Sequence, residues 1–199
     1  MDLESFINEI DPHGHQPSAP PFGSLDRHEW ESKILYSVKD KLSGNCSLLD
    51  LGCGSQTLKY NLTKRFPNSK YYGIDPKLGN MEEFPNLVKE INCCVAGSVF
   101  THLEFNNIKN ILNTLKPLFD SGGEFGFTFF LDAEPRLYQP FHYGPNTWGV
   151  SSTTLNQYQE YCEKNKLKFT LLPFDSKVDH LIEHEGKVFS NQNFANIKI

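Results

Sequence analysis

The chain has 199 residues, 38% of them hydrophobic and 13% aromatic, and a formal net charge of −5 at pH 7. Its length and apolar content predict one globular domain with a sizeable core and exclude a chain that is disordered throughout. Its acidic balance argues against nucleic acid as a partner, and no apolar run approaches the roughly 18–20 residues that cross a membrane.

The first part of the chain, residues 1–44, is predicted to form a lead-in followed by a cap helix. Residues 11–23 are rich in proline and glycine, so we expect them to be irregular. Apolar residues between Trp30 and Leu42 recur at spacings of three and four, which indicates a helix. The remaining residues, 45–199, are predicted to form the main part of this single domain.

Strands and helices alternate through residues 45–199. Short apolar runs predict strands at 47–51, 70–74, 91–96, 124–131, 167–173 and 194–199. Helical periodicity predicts helices at 57–66, 106–119 and 155–162. Residues 131–150 are rich in proline, glycine and aromatic residues and are predicted to form a long, functional loop. The alternation predicts an α/β fold with a mostly parallel sheet.

The segment Leu48–Gln56, with the sequence LLDLGCGSQ, joins a predicted strand to a predicted helix. Gly52 and Gly54 permit a tight turn and let the backbone approach a ligand near the helix N-terminus. Asp75 ends the next predicted strand, 21 residues after Gly54. A carboxylate at that spacing can accept hydrogen bonds from ribose hydroxyls, so these residues predict a nucleotide-type site.

Three classes of ligand compete for this glycine segment. A P-loop requires the pattern G-x-x-x-x-G-K-[ST], which the chain lacks. A dinucleotide site requires a third glycine where Thr57 stands, and Asp50 would place a carboxylate beside the pyrophosphate. A ligand with a ribose and a positive sulfonium but no phosphate suits that carboxylate. Electrostatics therefore favours S-adenosylmethionine.

Four blocks, in the correct order, resemble the class I S-adenosylmethionine-dependent methyltransferases. They are Leu48–Gly54, Tyr72–Asp75, Val95–Leu103 and Leu112–Phe130. The resemblance covers roughly residues 45–131 and implies a Rossmann-like three-layer sandwich around a mostly parallel sheet of six or seven strands. It also implies S-adenosyl-L-methionine as the cofactor. The cofactor-binding residues would be Asp50, Gly52, Gly54, Asp75 and Ser98; for Asp50, an indirect role in orienting the loop is an equal alternative.

Two features depart from the family pattern. Gln56 stands where the family has its third glycine, and only 16 residues separate Asp75 from the next matching strand at Ile91. The family normally fits a helix, a strand and an acid that reads the adenine into that interval. We therefore expect an open adenine end and a sheet that lacks one strand, with Met81–Phe84 as the local candidate for the acid.

The acceptor side is predicted from histidines near the carboxyl ends of later strands. The resemblance places His102 beside the acceptor pocket, where it could act as the general base, although a structural histidine explains it as well. His142 and Tyr143, in the segment after the predicted strand 124–131, are predicted to contact the acceptor. No metal site is predicted, because His180 and His184 lack the H-E-x-x-H order and the pair His13 and His15 has no further ligand nearby.

These inferences predict a methyltransferase for a small-molecule acceptor, with an oxygen of a sugar or other metabolite as the expected target. An alcohol needs a base to remove its proton, whereas a neutral amine needs only orientation. Two alternatives stay open: a cofactor-binding regulatory or partner protein without turnover, and a protein or tRNA methyltransferase. Five cysteines in no zinc-finger spacing and an acidic N-terminus predict a cytoplasmic protein, expected to be a monomer or homodimer.

Overall fold

The computed structural model describes residues 27–42, 45–54, 56–133, 136–143, 146–184 and 187–199. The helices within these ranges are α1 (Arg27–Tyr36), α2 (Thr57–Arg65), α3 (Phe84–Leu87), α4 (Phe105–Thr114), α5 (Lys116–Asp120) and α6 (Leu155–Lys164). The strands are β1 (Ser47–Leu51), β2 (Lys70–Ile74), β3 (Cys93–Ala96), β4 (Glu124–Leu131), β5 (Arg136–Tyr143), β6 (Asn146–Thr153), β7 (Lys168–His184) and β8 (Lys187–Lys198). Short 3₁₀ turns occupy Lys39–Lys41, Pro76–Leu78, Met81–Glu83 and Phe100–His102.

The main sheet has the strand order β2-β1-β3-β4-β8-β7 among the described strands. The four strands from β1 to β4 are mutually parallel, and β8 runs antiparallel between β4 and β7. β3 is buried along its whole length, as expected for a parallel strand that is covered on both faces. The prediction of an α/β fold with a mostly parallel sheet is confirmed. Six of the described strands form this main part of the sheet, and β6 and β5 join it through β4 to make eight.

Side chains alternate along each strand, so the strands present apolar residues on both faces of the sheet. Helices cover both of these faces. Leu48 packs with the apolar residues of α1 and α2, whereas Leu49 and Leu51 pack with those of α3 to α6. The molecule thus has the three layers expected of a Rossmann-like sandwich.

Helix α1 lies against two glycines of the sheet. A Cβ atom at Gly97 would overlap the indole of Trp30, and one at Gly126 would overlap the hydroxyl of Ser37. These glycines let α1 approach the strands closely from its first turn to its end.

The segment after β4 corrects one prediction, since residues 131–150 are not a loop but contain a β-hairpin. β5 and β6 pair antiparallel, and the end of β6 joins the end of β4 in parallel at Ser152 and Thr153. The register of the hairpin shifts between Tyr138 and Phe141, where Pro140 has no N–H to donate to the ladder. The proline and glycine content concealed an aromatic-rich pattern that is typical of strands.

Two predicted helices are shorter than their periodicity suggested. The helix predicted at 106–119 is divided into α4 and α5 around Leu115, because Pro117 cannot continue the backbone hydrogen bonds of α4. Its apolar face still continues, since Leu112, Leu115 and Leu118 are fully buried. The helix predicted to reach Leu42 ends at Tyr36.

The interval after β2 contains 3₁₀ turns and the single turn of α3 but no strand, so β2 pairs with β1 alone among the described strands. This confirms the expectation that a strand is missing here. The side chain of Asn80 partly replaces it: Nδ2 donates to the Gly73 carbonyl at 2.9 Å, and Oδ1 accepts from the Asp75 N–H at 3.2 Å.

None of the described helices combines the length and the apolar character that a membrane span requires.

Candidate functional site

The loop between β1 and α2 is built from residues with left-handed backbone. Gly52 has φ 74°, Gly54 has φ 51°, and Gln56, at the expected third-glycine position, has φ 58°. Gln56 therefore keeps the backbone conformation that glycine adopts freely, at a cost of about 1 kcal/mol. The departure from the family pattern changes the residue and not the local shape of the turn.

Hydrogen bonds tie this loop to the end of β2. The N–H groups of Gly52 and Cys53 donate to the Ile74 carbonyl at 2.7 and 3.1 Å. A Cβ at Gly52 would overlap the side chain of Val99, so Gly52 is enclosed by the turn that follows β3. Among the described residues, a Cβ at Gly54 would meet nothing within 4 Å. The described part of the chain therefore leaves space beside Gly54 for a ligand.

Asp75 lies directly after β2 and is 8% exposed. Its Oδ2 accepts a hydrogen bond from the Gly54 N–H at 3.0 Å, and its own N–H is held by Asn80. The structure thus brings together the acid and the glycine that the 21-residue spacing predicted as one site.

Asp50, near the end of β1, is 6% exposed, and its Oδ2 accepts from the Tyr71 hydroxyl at 2.6 Å. Burial, and secondarily the charge of Asp50, raise the pKa of Tyr71 well above its usual value. The phenol therefore stays protonated and keeps donating to the carboxylate. Sequence reasoning missed Tyr71, because its place beside Asp50 follows from the register between β1 and β2.

Cys53 belongs to the glycine loop, and its thiol is close enough to Asp50 and Asp75 to be affected by their charges. Burial raises the pKa of its thiol to about 11, and the negative charges of Asp50 and Asp75 add to this increase. The thiol is therefore protonated near neutral pH and is unsuited to nucleophilic chemistry.

A third buried acid, Glu31 of α1, connects the first helix to the start of α2. It is 4% exposed and accepts hydrogen bonds from the Thr57 hydroxyl at 2.5 Å and from the Asn61 amide. This contact fixes α1 beside the glycine loop. Neither the spacing nor the resemblance pointed to Glu31.

Ser98 follows β3 and has a left-handed backbone with φ 57°, which is uncommon for a residue with a side chain. Its N–H donates to the Thr128 hydroxyl at 2.8 Å, and its carbonyl accepts from the Thr101 hydroxyl at 2.9 Å. Its own hydroxyl lies 2.9 Å from Nε2 and 3.1 Å from Oε1 of Gln192. Gln192 is a second residue that sequence reasoning missed.

The structure brings His102 close to the hairpin but does not test its predicted role. His102 is half-buried at the end of the 3₁₀ turn after Ser98. The carbonyl of its neighbour Leu103 accepts a hydrogen bond from the Ser151 hydroxyl of β6 at 2.7 Å. His142 and Tyr143 are at the far end of the hairpin, opposite residues 147 and 146, and their side chains lie outside the described part.

No group of three His, Cys, Asp or Glu side chains that could hold a metal ion occurs among the described residues. His180 and His184 belong to strand β7 and not to a helix. His13 and His15 lie outside the described residues.

Two open clefts of about 440 Å³ occur elsewhere on the surface. One lies at the amino edge of the sheet, with Tyr36, Glu124 and Lys198 in its lining. The other lies beside the end of β4, with Asp132 and Thr154 in its lining. Neither of these two clefts includes a residue of the glycine loop.

The sequence matches no protein-family model and none of the curated proteins at a significant level. Solved structures give clear matches. The precorrin-6y C5,15-methyltransferase of Geobacter metallireducens has a TM-score of 0.52 at 12% identity, covering 96% of this chain and 97% of that one. The magnesium protoporphyrin IX methyltransferase of Synechocystis, with bound S-adenosylmethionine, has a TM-score of 0.51 at 11% identity, covering 100% and 98%.

A third match is the amino pentose methyltransferase of Micromonospora echinaspora, also with bound S-adenosylmethionine. It has a TM-score of 0.51 at 10% identity, covering 92% of this chain and all of that one. These similarities extend over nearly the whole chain. They show that it has the fold of the S-adenosylmethionine-dependent methyltransferases, which confirms the fold class expected from the four sequence blocks.

Proposed function

We propose that this protein is a class I methyltransferase that uses S-adenosyl-L-methionine to methylate a small molecule, with an oxygen of a sugar or other metabolite as the target. The observation that carries the proposal is the hydrogen bond between the Asp75 carboxylate and the Gly54 N–H beside an open space. The names of the similar structures support a small-molecule acceptor, since those enzymes act on tetrapyrroles and an amino pentose.

The polar groups at the carboxyl ends of β1 and β2 fit this cofactor. Asp75 would accept hydrogen bonds from ribose hydroxyls, Asp50 would face the cationic end, and the absence of a side chain at Gly54 leaves room for the ligand backbone. Gly52 and Ser98 would complete the site from the two turns that meet at Val99. In the short interval after β2, Met81–Phe84 stays our proposal for the adenine end.

When bound, the cofactor supplies a methyl group on a positively charged sulfur. The chain then needs to orient the acceptor, exclude water and remove one proton if the acceptor is an alcohol. We assign the last task to His102, whose turn is held against β6 by the Ser151–Leu103 hydrogen bond. His142 and Tyr143 of the hairpin are proposed to contact the acceptor.

The five cysteines support a reducing compartment, because all of them are buried and free of disulfide bonds. We therefore propose a cytoplasmic protein that acts as a monomer or homodimer. Neither nucleic acid nor a membrane is proposed as a partner, in keeping with the net charge of −5.

The decisive experiment is a calorimetric titration of the purified protein with S-adenosylmethionine and with S-adenosylhomocysteine. ATP and NAD serve as controls, because they share the adenosine but carry phosphates that Asp50 and Asp75 would repel. We expect micromolar binding of the first two ligands, roughly −7 to −8 kcal/mol, and no measurable binding of the controls. Failure of the wild type to bind S-adenosylmethionine would overturn the proposal.

A second measurement separates catalysis from binding alone. Cofactor with a labelled methyl group is incubated with the protein and with the small-molecule or macromolecular fraction of a cell extract. Label in the small-molecule fraction supports the proposal, whereas label in protein or tRNA favours a macromolecular acceptor. Binding of cofactor without label transfer to either fraction favours the regulatory alternative.

A further inference from the structure

Four neutral polar residues lie on one face of the sheet at its carboxyl edge. Ser98 follows β3, Thr128 lies in β4, Ser152 lies in β6 and Gln192 lies in β8. Thr128 and Gln192 lie on the same face as α1, because the intervening Phe127, Phe129 and Ala195 belong to the opposite core layer. Ser152 pairs with Phe130, two positions after Thr128, and so faces the same way. We call these four residues the neutral cluster.

The neutral cluster adjoins the glycine loop. Ser98 precedes Val99, and Val99 is the residue that a Cβ at Gly52 would overlap. Ser98 itself is half-buried, whereas Thr128, Ser152 and Gln192 are at most 6% exposed. A molecule next to the glycine loop on the β3–β4 side would therefore reach the Ser98 hydroxyl first, with the other members behind it.

The hydrogen bonds of the cluster let the Ser98 hydroxyl act as a donor or as an acceptor toward a ligand. The Ser98 hydroxyl is within bonding distance of both Nε2 and Oε1 of Gln192, at 2.9 and 3.1 Å. If Nε2 donates, the Ser98 proton is available to a ligand; if Oε1 accepts, a lone pair of Ser98 is available instead. A ligand hydroxyl, which both donates and accepts, can use either arrangement.

The Ser152 hydroxyl provides a second, independent indication. Ser152 is 2% exposed, and its side-chain oxygen has no hydrogen-bond partner among the described residues. A buried polar atom without a partner costs free energy, and a ligand hydroxyl at Ser152 would supply the missing partner. The hydrogen bonds of Ser98, Thr128 and Gln192 within the described chain all involve neutral groups. A charged ligand would lose its hydration here without gaining a counterion.

We infer that the neutral cluster binds the methyl acceptor and selects an uncharged, hydroxyl-bearing molecule. Ser98, which we also assign to the cofactor site, would lie between the two ligands and contact both, with Gln192 setting the direction of its hydroxyl. The identification of the bound molecule as the methyl acceptor rests on the proposed function. The binding preference itself is a property of the cluster and is tested without turnover.

The test uses the full-length protein labelled with ¹⁵N and follows the side-chain amide signals of Gln192 and Asn196. Asn196 is an internal control, because it lies on the same strand and face but donates to the Ser37 carbonyl at the opposite edge. The probes are methyl glucoside, glucuronate and protonated glucosamine, which share one ring and differ in charge. Concentrations on the order of 10–50 mM suit a single sugar ring.

We expect methyl glucoside to shift the Gln192 signals, to leave the Asn196 signals in place, and to bind at least about threefold more tightly than either charged sugar. Ser98→Ala should weaken its binding about fivefold, the effect of one lost hydrogen bond. The matched control is Ser121→Ala, which removes a hydroxyl that bonds the Leu118 carbonyl before β4 and should leave the affinity unchanged. Gln192→Glu should reverse the order in favour of glucosamine.

Absence of a Gln192 shift with methyl glucoside, equal shifts with all three sugars, or a stronger response to a charged sugar would overturn the inference. The cofactor titration reports on the proposed function separately. A protein that binds methyl glucoside at Gln192 but not S-adenosylmethionine would disprove the proposed function and leave the neutral cluster as a binding site. The reverse result would disprove only the inference.

Discussion

The two edges of the parallel strands hold buried carboxylates in different ways. At the amino edge, Glu124 is 4% exposed and contacts the Lys198 ammonium at 3.2 Å, and Lys198 also contacts Asp40 at 3.2 Å. Hydrogen bonds from Lys198 to Asp40 and Glu124 raise its pKa. At the carboxyl edge, Asp50 accepts a hydrogen bond from the Tyr71 phenol, and Asp75 accepts one from the Gly54 N–H.

This difference indicates what each edge does. An ion pair cancels charge and so helps to hold β4, β8 and the 3₁₀ turn Lys39–Lys41 together. The hydrogen bonds from the phenol and the backbone N–H orient the Asp50 and Asp75 carboxylates beside the glycine loop, which suits a ligand that carries ribose hydroxyls and a cation. Burial of an acid is therefore not by itself a sign of function; the kind of donor beside it is more informative.

Exchange of one acid at each edge gives the largest expected contrast. Asp75→Ala removes the ribose acceptor and the anchor of Gly54, so S-adenosylmethionine affinity should fall about 10–100-fold. Glu124→Gln should instead lower the free energy of unfolding by about 1–2 kcal/mol and change the affinity less than about twofold. Calorimetry and urea unfolding of both variants check this. Equal losses of affinity would abolish the distinction between the edges.

Two glycines allow the same comparison at the level of the backbone. Gly54 at the carboxyl edge and Gly122 before β4 have φ of 51° and 77°, and a Cβ at either would meet no atom of the described residues within 4 Å. Replacement of either by alanine should cost about 1 kcal/mol of stability through backbone strain. Only Gly54→Ala should also weaken cofactor binding, by about tenfold, because the new methyl group occupies ligand space. If Gly122→Ala weakened binding equally, strain and not space would be the cause.

The smallest expected effect concerns the cysteines of the two edges. Cys53 has a pKa of about 11, raised first by burial and then by Asp50 and Asp75, so at pH 9 most of its thiol is protonated, whereas an ordinary thiol is about half ionised. Asp75→Asn removes one of these charges and should increase the alkylation rate of Cys53 at pH 9 about two- to threefold. The pKa of Cys93 is raised well above its usual value mainly by burial, and the nearby carboxylate is Glu124 and not Asp75. The alkylation rate of Cys93 should therefore not change. Peptide mass spectrometry separates the two, and an increase at both cysteines would indicate general loosening.

The sequence predicted those strands whose local residue pattern agrees with their position in the sheet. The strands at 47–51, 70–74 and 124–131 were predicted with their observed bounds, because short, continuous apolar runs between turn residues suit parallel strands that are covered on both faces. The hairpin of β5 and β6 was missed because its glycines and prolines, such as Pro140, resemble a loop. Its pairing to β4 depends on contacts that no local pattern reports.

The candidate site divides in the same way. Gly52, Gly54 and Asp75 belong to a motif with a fixed spacing, and the structure brings them together. Tyr71 and Gln192 were not found, since each reaches its partner across the sheet. Gln192 lies 94 residues from Ser98 in sequence, and a single glutamine just before the strand predicted at 194–199 carries no signal of its own.

The side chain of Asn80 has a consequence for self-association. The outer side of β2 would otherwise present a row of backbone donors and acceptors, the kind of template on which another chain can add a strand. Asn80 takes the Gly73 carbonyl and the Asp75 N–H, so the last part of the row is already occupied from within the molecule. One amide side chain thus shortens the length of strand to which a foreign β-segment could attach, and it does so beside the acid on which the proposed cofactor site depends.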